Sequence, residues 1–203
     1  MSATSGTYTY PTSGTFTVER NTSGGAISAT SDNTSVADVS VSGTTITVTP
    51  KAVGTVTITV TSAATTNYNA KSATYAVTVY RPYSVGESVT ISENNFYVIE
   101  DDGTNVTLLY NSYMGTATWD NAKSQASSFG SNLGGTGRLL TKAEAEGVAA
   151  RYRNIGSYYW LEEAYSSTYA WFVNNIGILY HNGIIGDHSF GVRPVVVISK
   201  SKL

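Results

Sequence analysis

The residue types able to do chemistry gather near the C-terminal end: Glu162-Glu163, His181, Asp187 and His188. Paired carboxylates hydrolyse a glycosidic bond when they flank it across a fixed gap. Adjacent strand residues point to opposite faces, so Glu162 and Glu163 cannot share one bond. They read instead as the acidic edge of a surface, or as solvated charge. Two imidazoles and a carboxylate can hold zinc. His181 and His188 are seven apart, with Asp187 beside the second, and no third clear ligand completes a site. Surface contact is the better reading. Serines abound, yet no Gly-x-Ser-x-Gly elbow raises one as a nucleophile. The chain has no cysteine, hence no thiolate ligand, cysteine nucleophile or disulfide. The expectation is a protein that is not an enzyme, with no catalytic residue, metal or cofactor.

What remains is recognition. Two regular apolar anchors, Tyr159-Trp160-Leu161 and the run from Gly191 to Ile198, bracket a segment rich in Tyr, Ser, Asn, Ile, His and Asp. Its order suits no packed core. Fixed ends around a polar and aromatic middle describe a binding surface displayed on a rigid scaffold. The candidate contacts are Glu162, Glu163, Tyr165, Ser166, Ser167, Thr168, Tyr169, Phe172, Asn174, Asn175, Ile176, Ile178, Tyr180, His181, Asn182, Ile184, Ile185, Asp187, His188 and Phe190. Tyr165, Tyr169, Phe172, Tyr180 and the isoleucines would anchor a partner, because flat side chains give contact area at low entropic cost. Asn174, Asn175, His181, Asn182, Asp187 and His188 would set polar specificity.

Composition narrows the partner. A net charge of −2 offers no basic patch for phosphates, which argues against nucleic acid. No stretch approaches the ~20 apolar residues of a membrane span. Charged residues are 13% and hydrophobic residues 41%, enough apolar content for folded cores across 203 residues. Met1-Ser2-Ala3-Thr4-Ser5-Gly6 lacks the charged and apolar regions of a signal peptide. Either the sequence is trimmed or its route outside the cell uses no such signal, as for a virion protein released by lysis. Ser201-Lys202-Leu203 matches a peroxisomal address and is read as chance. Asn21, Asn33 and Asn105 lie in glycosylation triplets, which Ser/Thr-rich sequence produces by accident.

The elements positioning the surface fall into two domains, 1–82 and 83–203, joined near Arg81-Pro82. Residues 8–80 alternate as short strands. Val36–Val41 and Thr44–Thr49 flank Ser42-Gly43, a hairpin signal, and Gly54–Thr61 alternates apolar residues with threonine. Together these predict an antiparallel all-β sandwich. The second domain begins with strands over Val85–Ile91 and Asn95–Glu100, turns at Asp101-Asp102-Gly103, and returns over Val106–Tyr110. A helical period then places Trp119, Ala122, Ala126 and Phe129 on one face, with Thr118 as cap and Gly130 as C′ residue. Thr141-Lys142-Ala143-Glu144 forms a capping box for a second helix reaching about Arg153. Trp119, Trp160 and Trp171 are expected in the core, Arg193 as an ion pair or backbone clamp. The strand Val192–Ile198 is expected to pair near the domain's first strand. This second domain is α+β.

Two resemblances follow. Val36-Ala37-Asp38-Val39-Ser40, Gly43, Val48 and the run Ala52 to Val60 resemble the bacterial Ig-like domains of surface and phage structural proteins. That implies a spacer or weakly adhesive module over about 5–80. Trp119-Asp120-Asn121-Ala122, Arg138–Glu144, Tyr159-Trp160-Leu161, Ala170-Trp171 and Gly191–Val195 resemble the C-type-lectin fold, and within it the variable proteins of diversity-generating retroelements. This covers about 85–200. It implies a hypervariable face over 162–190, rewritten through adenine-rich codons, that binds a surface protein or glycan on a host or neighbouring cell. The location implied is a virion or the cell surface. Calcium-dependent sugar binding needs converging oxygen ligands from a Glu-Pro-Asn or Gln-Pro-Asp loop and a Trp-Asn-Asp strand, and this chain has neither. The alternatives are a fixed adhesin that binds glycan and a structural decoration module.

Overall fold

The computed structural model describes residues 4–19 and 24–203. Met1, Ser2, Ala3 and the acceptor Asn21 lie outside them. About half the chain is strand, helices are few, and two compact units form, 1–82 and 83–203.

Unit 1 contains β1 (Ser5–Thr9), β2 (Gly14–Thr17), β3 (Ile27–Ser31), β4 (Ala37–Ser42), β5 (Thr45–Pro50), β6 (Gly54–Ser62) and β7 (Lys71–Tyr80). They form two sheets, β1-β7-β6-β3 and β2-β5-β4. The alternation in β6 is physical: Val56, Ile58 and Val60 are buried while the intervening threonines reach solvent. Tyr75, Val77 and Val79 of β7 fill the same core with Ile46 and Val48 of the other sheet. Each such side chain contributes about 2 kcal/mol by leaving water. The hairpin turn is Gly43-Thr44, one residue later than the sequence suggests, with Gly43 at φ +65°. A primed turn requires that left-handed conformation. The sheets are not wholly antiparallel, because β1 pairs in parallel with β7. Parallel neighbours need a long connection, and here the intervening five strands supply it.

Unit 2 carries β8 (Ser88–Ile91), β9 (Asn94–Asp101), β10 (Asn105–Tyr110), β11 (Thr116–Ala117), α1 (Trp119–Asn132), β12 (Thr136–Leu139), α2 (Lys142–Gly147), α3 (Ala150–Arg153), β13 (Tyr159–Ala164), β14 (Tyr169–Val173), β15 (Leu179–Ile184), β16 (Phe190–Gly191) and β17 (Pro194–Ser199). One sheet runs β12-β17-β10-β9-β8, the other β11-β16-β13-β14-β15. The C-terminal strand β17 therefore lies between β10 and β12, while the unit's first strand β8 occupies the far edge. Its Val195, Val196 and Ile198 belong between layers, which explains the central position.

Both helices depart from their sequence reading. Gly130 does not end α1. It is buried inside the helix, where a Cβ would stand 2.2 Å from the Gly137 nitrogen, so it lets α1 lie against β12. The left-handed C-terminal residue is Gly134, at φ +77°. Thr118 precedes α1 without a side-chain cap bond. The capping box at Thr141 and Glu144 forms in full. The helix behind it stops at Gly147, because Val148 turns extended and buries its branched side chain among Leu140, Ala145 and Leu161. A separate turn, α3, resumes at Ala150.

At its start, unit 2 is tied by a charge pair between a buried lysine and a half-buried aspartate. Lys200, 4% exposed, places Nζ 2.6 Å from Oδ1 of Asp101, whose other oxygen accepts the Tyr83 N–H at 2.7 Å. Burial opposes the Asp101 carboxylate. Lys200 and the Tyr83 and Gly103 N–H groups outweigh it and hold its pKa below the usual range.

Candidate functional site

The segment 162–190 folds as the end of β13, the β14–β15 hairpin and the turn into β16. Each connecting turn is closed by a side chain from within it. Ser166 Oγ accepts the N–H groups of Thr168 (3.2 Å) and Tyr169 (3.1 Å). Asn174 Oδ1 accepts those of Ile176 (3.0 Å) and Ile178 (2.9 Å). His188 Nδ1 accepts the Ile184 N–H at 3.1 Å. Such bonds let short polar side chains shape a turn without tertiary help.

The candidate residues do not form one surface. Two register shifts, in the β13–β14 and β14–β15 pairings, interrupt the strands. On the side packed against α1, Phe172 lies 5.7 Å from Tyr180 with planes 19° apart, 4.7 Å from Phe190 and 6.0 Å from Tyr158. Trp160 underlies them, 4.5 Å from Phe190, and the His188 ring is 5.4 Å from Phe190. On the side packed against α2, Tyr165 stacks on His181 at 4.1 Å. Trp171 meets both edge-on, and Lys142 Nζ stands 5.0 Å over its ring. Successive strand residues alternate between faces, so Trp171 and Phe172 must part company.

Exposure sorts the rest. Tyr165, Tyr169, Ile176, Ile178 and Tyr180 are exposed, as are Ser166, Ser167, Thr168, Asn175, His181, Asn182 and Asp187. Ile184, Ile185, His188 and Phe190 are half-buried. Phe172 and Asn174, expected as contacts, are buried: one is core, the other holds its turn. Glu162 and Glu163 are occupied with scaffolding. Glu162 accepts the Leu139 N–H at 2.9 Å and pairs with Lys123 at 3.1 Å. Glu163 accepts the Lys142 N–H at 2.8 Å. Together they fasten β13 to the residues around the start of α2.

Beneath the faces the scaffold is rigidly bonded. Trp160 is fully buried and donates Nε1–H to the Ala117 carbonyl at 2.8 Å. Trp119, half-buried, donates to Leu161 at 2.8 Å. Gly183 sits over Trp160, and a Cβ there would stand 2.5 Å from the indole. Arg193 is fully buried and is a backbone clamp, not an ion pair. Its Nε donates to the Tyr110 carbonyl at 2.7 Å, and Nη1 to Tyr159 Oη (3.1 Å) and the Arg153 carbonyl (3.3 Å). Desolvation pushes its pKa down.

Tyr158 and Tyr113 escaped the sequence reading. Both are exposed; Tyr158 joins the Phe172 and Phe190 rings, and Tyr113 lies against Gly191. For Tyr158 a signal existed, since it stands two residues before Trp160 and so shares its side.

Among the described residues no group of three or more His, Cys, Asp or Glu is placed to hold a metal ion. No described helix is long and apolar enough to cross a membrane. No family model matches the chain, and no curated protein or solved structure matches it.

Proposed function

We propose that this is a non-enzymatic display protein, in which unit 1 is an Ig-like spacer and unit 2 a C-type-lectin-like domain that binds a surface molecule of a host or neighbouring cell. The observation that carries this reading is the concentration of exposed large side chains on a heavily bonded sheet. Tyr158, Tyr165, Tyr169, Ile176, Ile178 and Tyr180 all reach solvent within 23 consecutive residues, 158–180, while Trp160 and Val173 between them are fully buried. Apolar patches displayed on ordered backbone mark interaction sites. Two-sheet architecture in unit 1 and the mixed helix-and-strand order of unit 2 support the fold assignments. A virion or cell surface is the proposed location, and retroelement diversification of 162–190 the proposed source of specificity.

The test joins binding and population sequence. The full chain is screened on arrayed host-surface proteins and glycans beside a variant with alanine at Tyr165, Tyr180 and Ile184. Binding lost in the variant supports the reading, and unchanged binding overturns it. Substitutions across natural copies should concentrate at 162–190 and trace to adenines in a nearby template repeat. A segment as uniform as 36–60 would leave a fixed adhesin.

A further inference from the structure

The turn that follows β15 is closed by an acceptor that a single proton removes. His188 Nδ1 accepts the Ile184 N–H at 3.1 Å, and the His188 N–H returns to the Ile184 carbonyl at 3.0 Å. One residue thus engages both backbone groups of Ile184. A ring nitrogen accepts only through a lone pair: neutral imidazole has one such nitrogen and the imidazolium has none. A proton on Nδ1 would set two donors face to face. Ile184 and His188 are both half-buried, so water replaces the lost bond poorly. The bond therefore exists while the ring is neutral and is lost as pH falls through histidine protonation, ordinarily around pH 6.5. The ionisable groups on the elements packed here are few. Asp187 precedes the ring, and Asp120 and Lys123 lie on α1, whose first residue donates its N–H to Ile185 at 3.4 Å. Lys123 is tied to Glu162 of β13. Tyr169 stands opposite Ile184 on β14, and Tyr158 touches the Phe190 ring that lies 5.4 Å from His188. Among the described residues His188 forms no ion pair, so no carboxylate in contact holds an imidazolium in place.

On the reading that 162–190 is a recognition surface, we propose that the turn 184–188 is a proton-operated latch on it. Neutral His188 closes the latch and the imidazolium opens it. The neighbours of the turn give the latch its reach. Ile184 pairs with Tyr169, and the Ile185 N–H donates to the Thr168 carbonyl at 3.0 Å. Opening the turn loosens the end of the β14–β15 hairpin, where the exposed Thr168 and Tyr169 are held. The other histidine differs. His181 is exposed and stacks on Tyr165, and its ring takes no backbone hydrogen bond among the described residues. Its protonation leaves the turns as they are.

The full chain, labelled with 15N, is followed by NMR from about pH 8 to about pH 5, a range that spans histidine protonation. At the upper end the His188 ring should carry its proton on Nε2 and leave Nδ1 bare. As the ring protonates, the amides of Thr168, Ile184 and Ile185 should shift with its midpoint. Protection of the Ile184 amide from exchange, corrected for its intrinsic rate, should fall by about tenfold. His188→Asn puts an oxygen acceptor near the place of Nδ1 and cannot titrate, so Ile184 should stay protected throughout. His188→Ala should leave Ile184 unprotected at every pH, and His181→Gln should behave as the unsubstituted chain does. A proton on Nδ1 at the upper end, Ile184 protection that ignores pH, or a response that persists in His188→Asn overturns the latch. None of these measurements uses a ligand. A latch that fails leaves the binding reading to the array screen, and a blank array leaves the response of the turn to protons standing.

Discussion

The outer face of β6–β7 and the β13–β15 sheet use the strand period in opposite ways. In unit 1 the pairing of β6 with β7 runs nine residues without a shift, from Gly54 opposite Val79 to Ser62 opposite Lys71. One side is Val, Ile and Tyr, the other Thr, Ser and Ala. Every buried position has one task, and over these nine pairs the exposed side holds no large apolar side chain, the exposed Tyr80 standing only at the end of β7. In unit 2 both sides of β14–β15 carry rings, and the register slips once in that pairing and once between β13 and β14. A bulge re-aims side chains at a local cost in ladder bonds. Regular alternation builds a support, whereas interrupted alternation lets one hairpin show chemistry on two sides.

The largest break in this comparison is Trp160→Ala. It empties the biggest fully buried side chain and should cost about 4 kcal/mol, read by calorimetry, with unit 1 amides unmoved in NMR spectra. Next comes Lys200→Ala, which leaves the half-buried Asp101 without its cation but with its two N–H donors, at about 1–2 kcal/mol. All three tryptophans, Trp119, Trp160 and Trp171, belong to unit 2, so fluorescence during urea unfolding reads that unit alone. The same signal tests pH. The folded pKa of Asp101 is depressed, so its stabilisation is present above the unfolded value of about 3.9 and is lost as pH falls through the folded one. Acid should therefore weaken unit 2 below about pH 4, and Asp101→Asn should start lower and show a shallower decline. A steeper decline in the variant would refute the role given to Asp101. Smallest of all, Tyr180→Ala and Thr59→Ala should each change stability by no more than about 0.5 kcal/mol. They diverge in function, since only the first should reduce binding.

Much of the scaffold is legible in the residues. The β4–β5 hairpin follows from alternation around Gly43, and the capping box at Thr141–Glu144 has the side chains that make it. Other features depend on what lies opposite. A glycine that ends a helix and one that admits a neighbouring strand look alike, which is why Gly130 reads as a terminus and is a contact. The α2–α3 break needs the core around Val148 to be known. Within the candidate site, Tyr, Ser and Asn announce exposure correctly at most positions. Phe172 and Asn174 differ because a ring or amide is equally suited to a surface or to the layer beneath it. Glu162 and Glu163 face backbone N–H groups more than twenty residues earlier, a pairing no local pattern reveals.

Ser166, Asn174 and His188 each close their turn from inside it, and each bonds to backbone, not to neighbouring side chains. The identity of Ser167, Asn175, Ile176, Gly186 or Ser189 therefore carries little information about whether the sheet forms. Those positions behave as blank spaces in a fixed sentence. A library randomising them while keeping the three latches, Gly183 and Trp160 should yield mostly folded members, whatever each one grips.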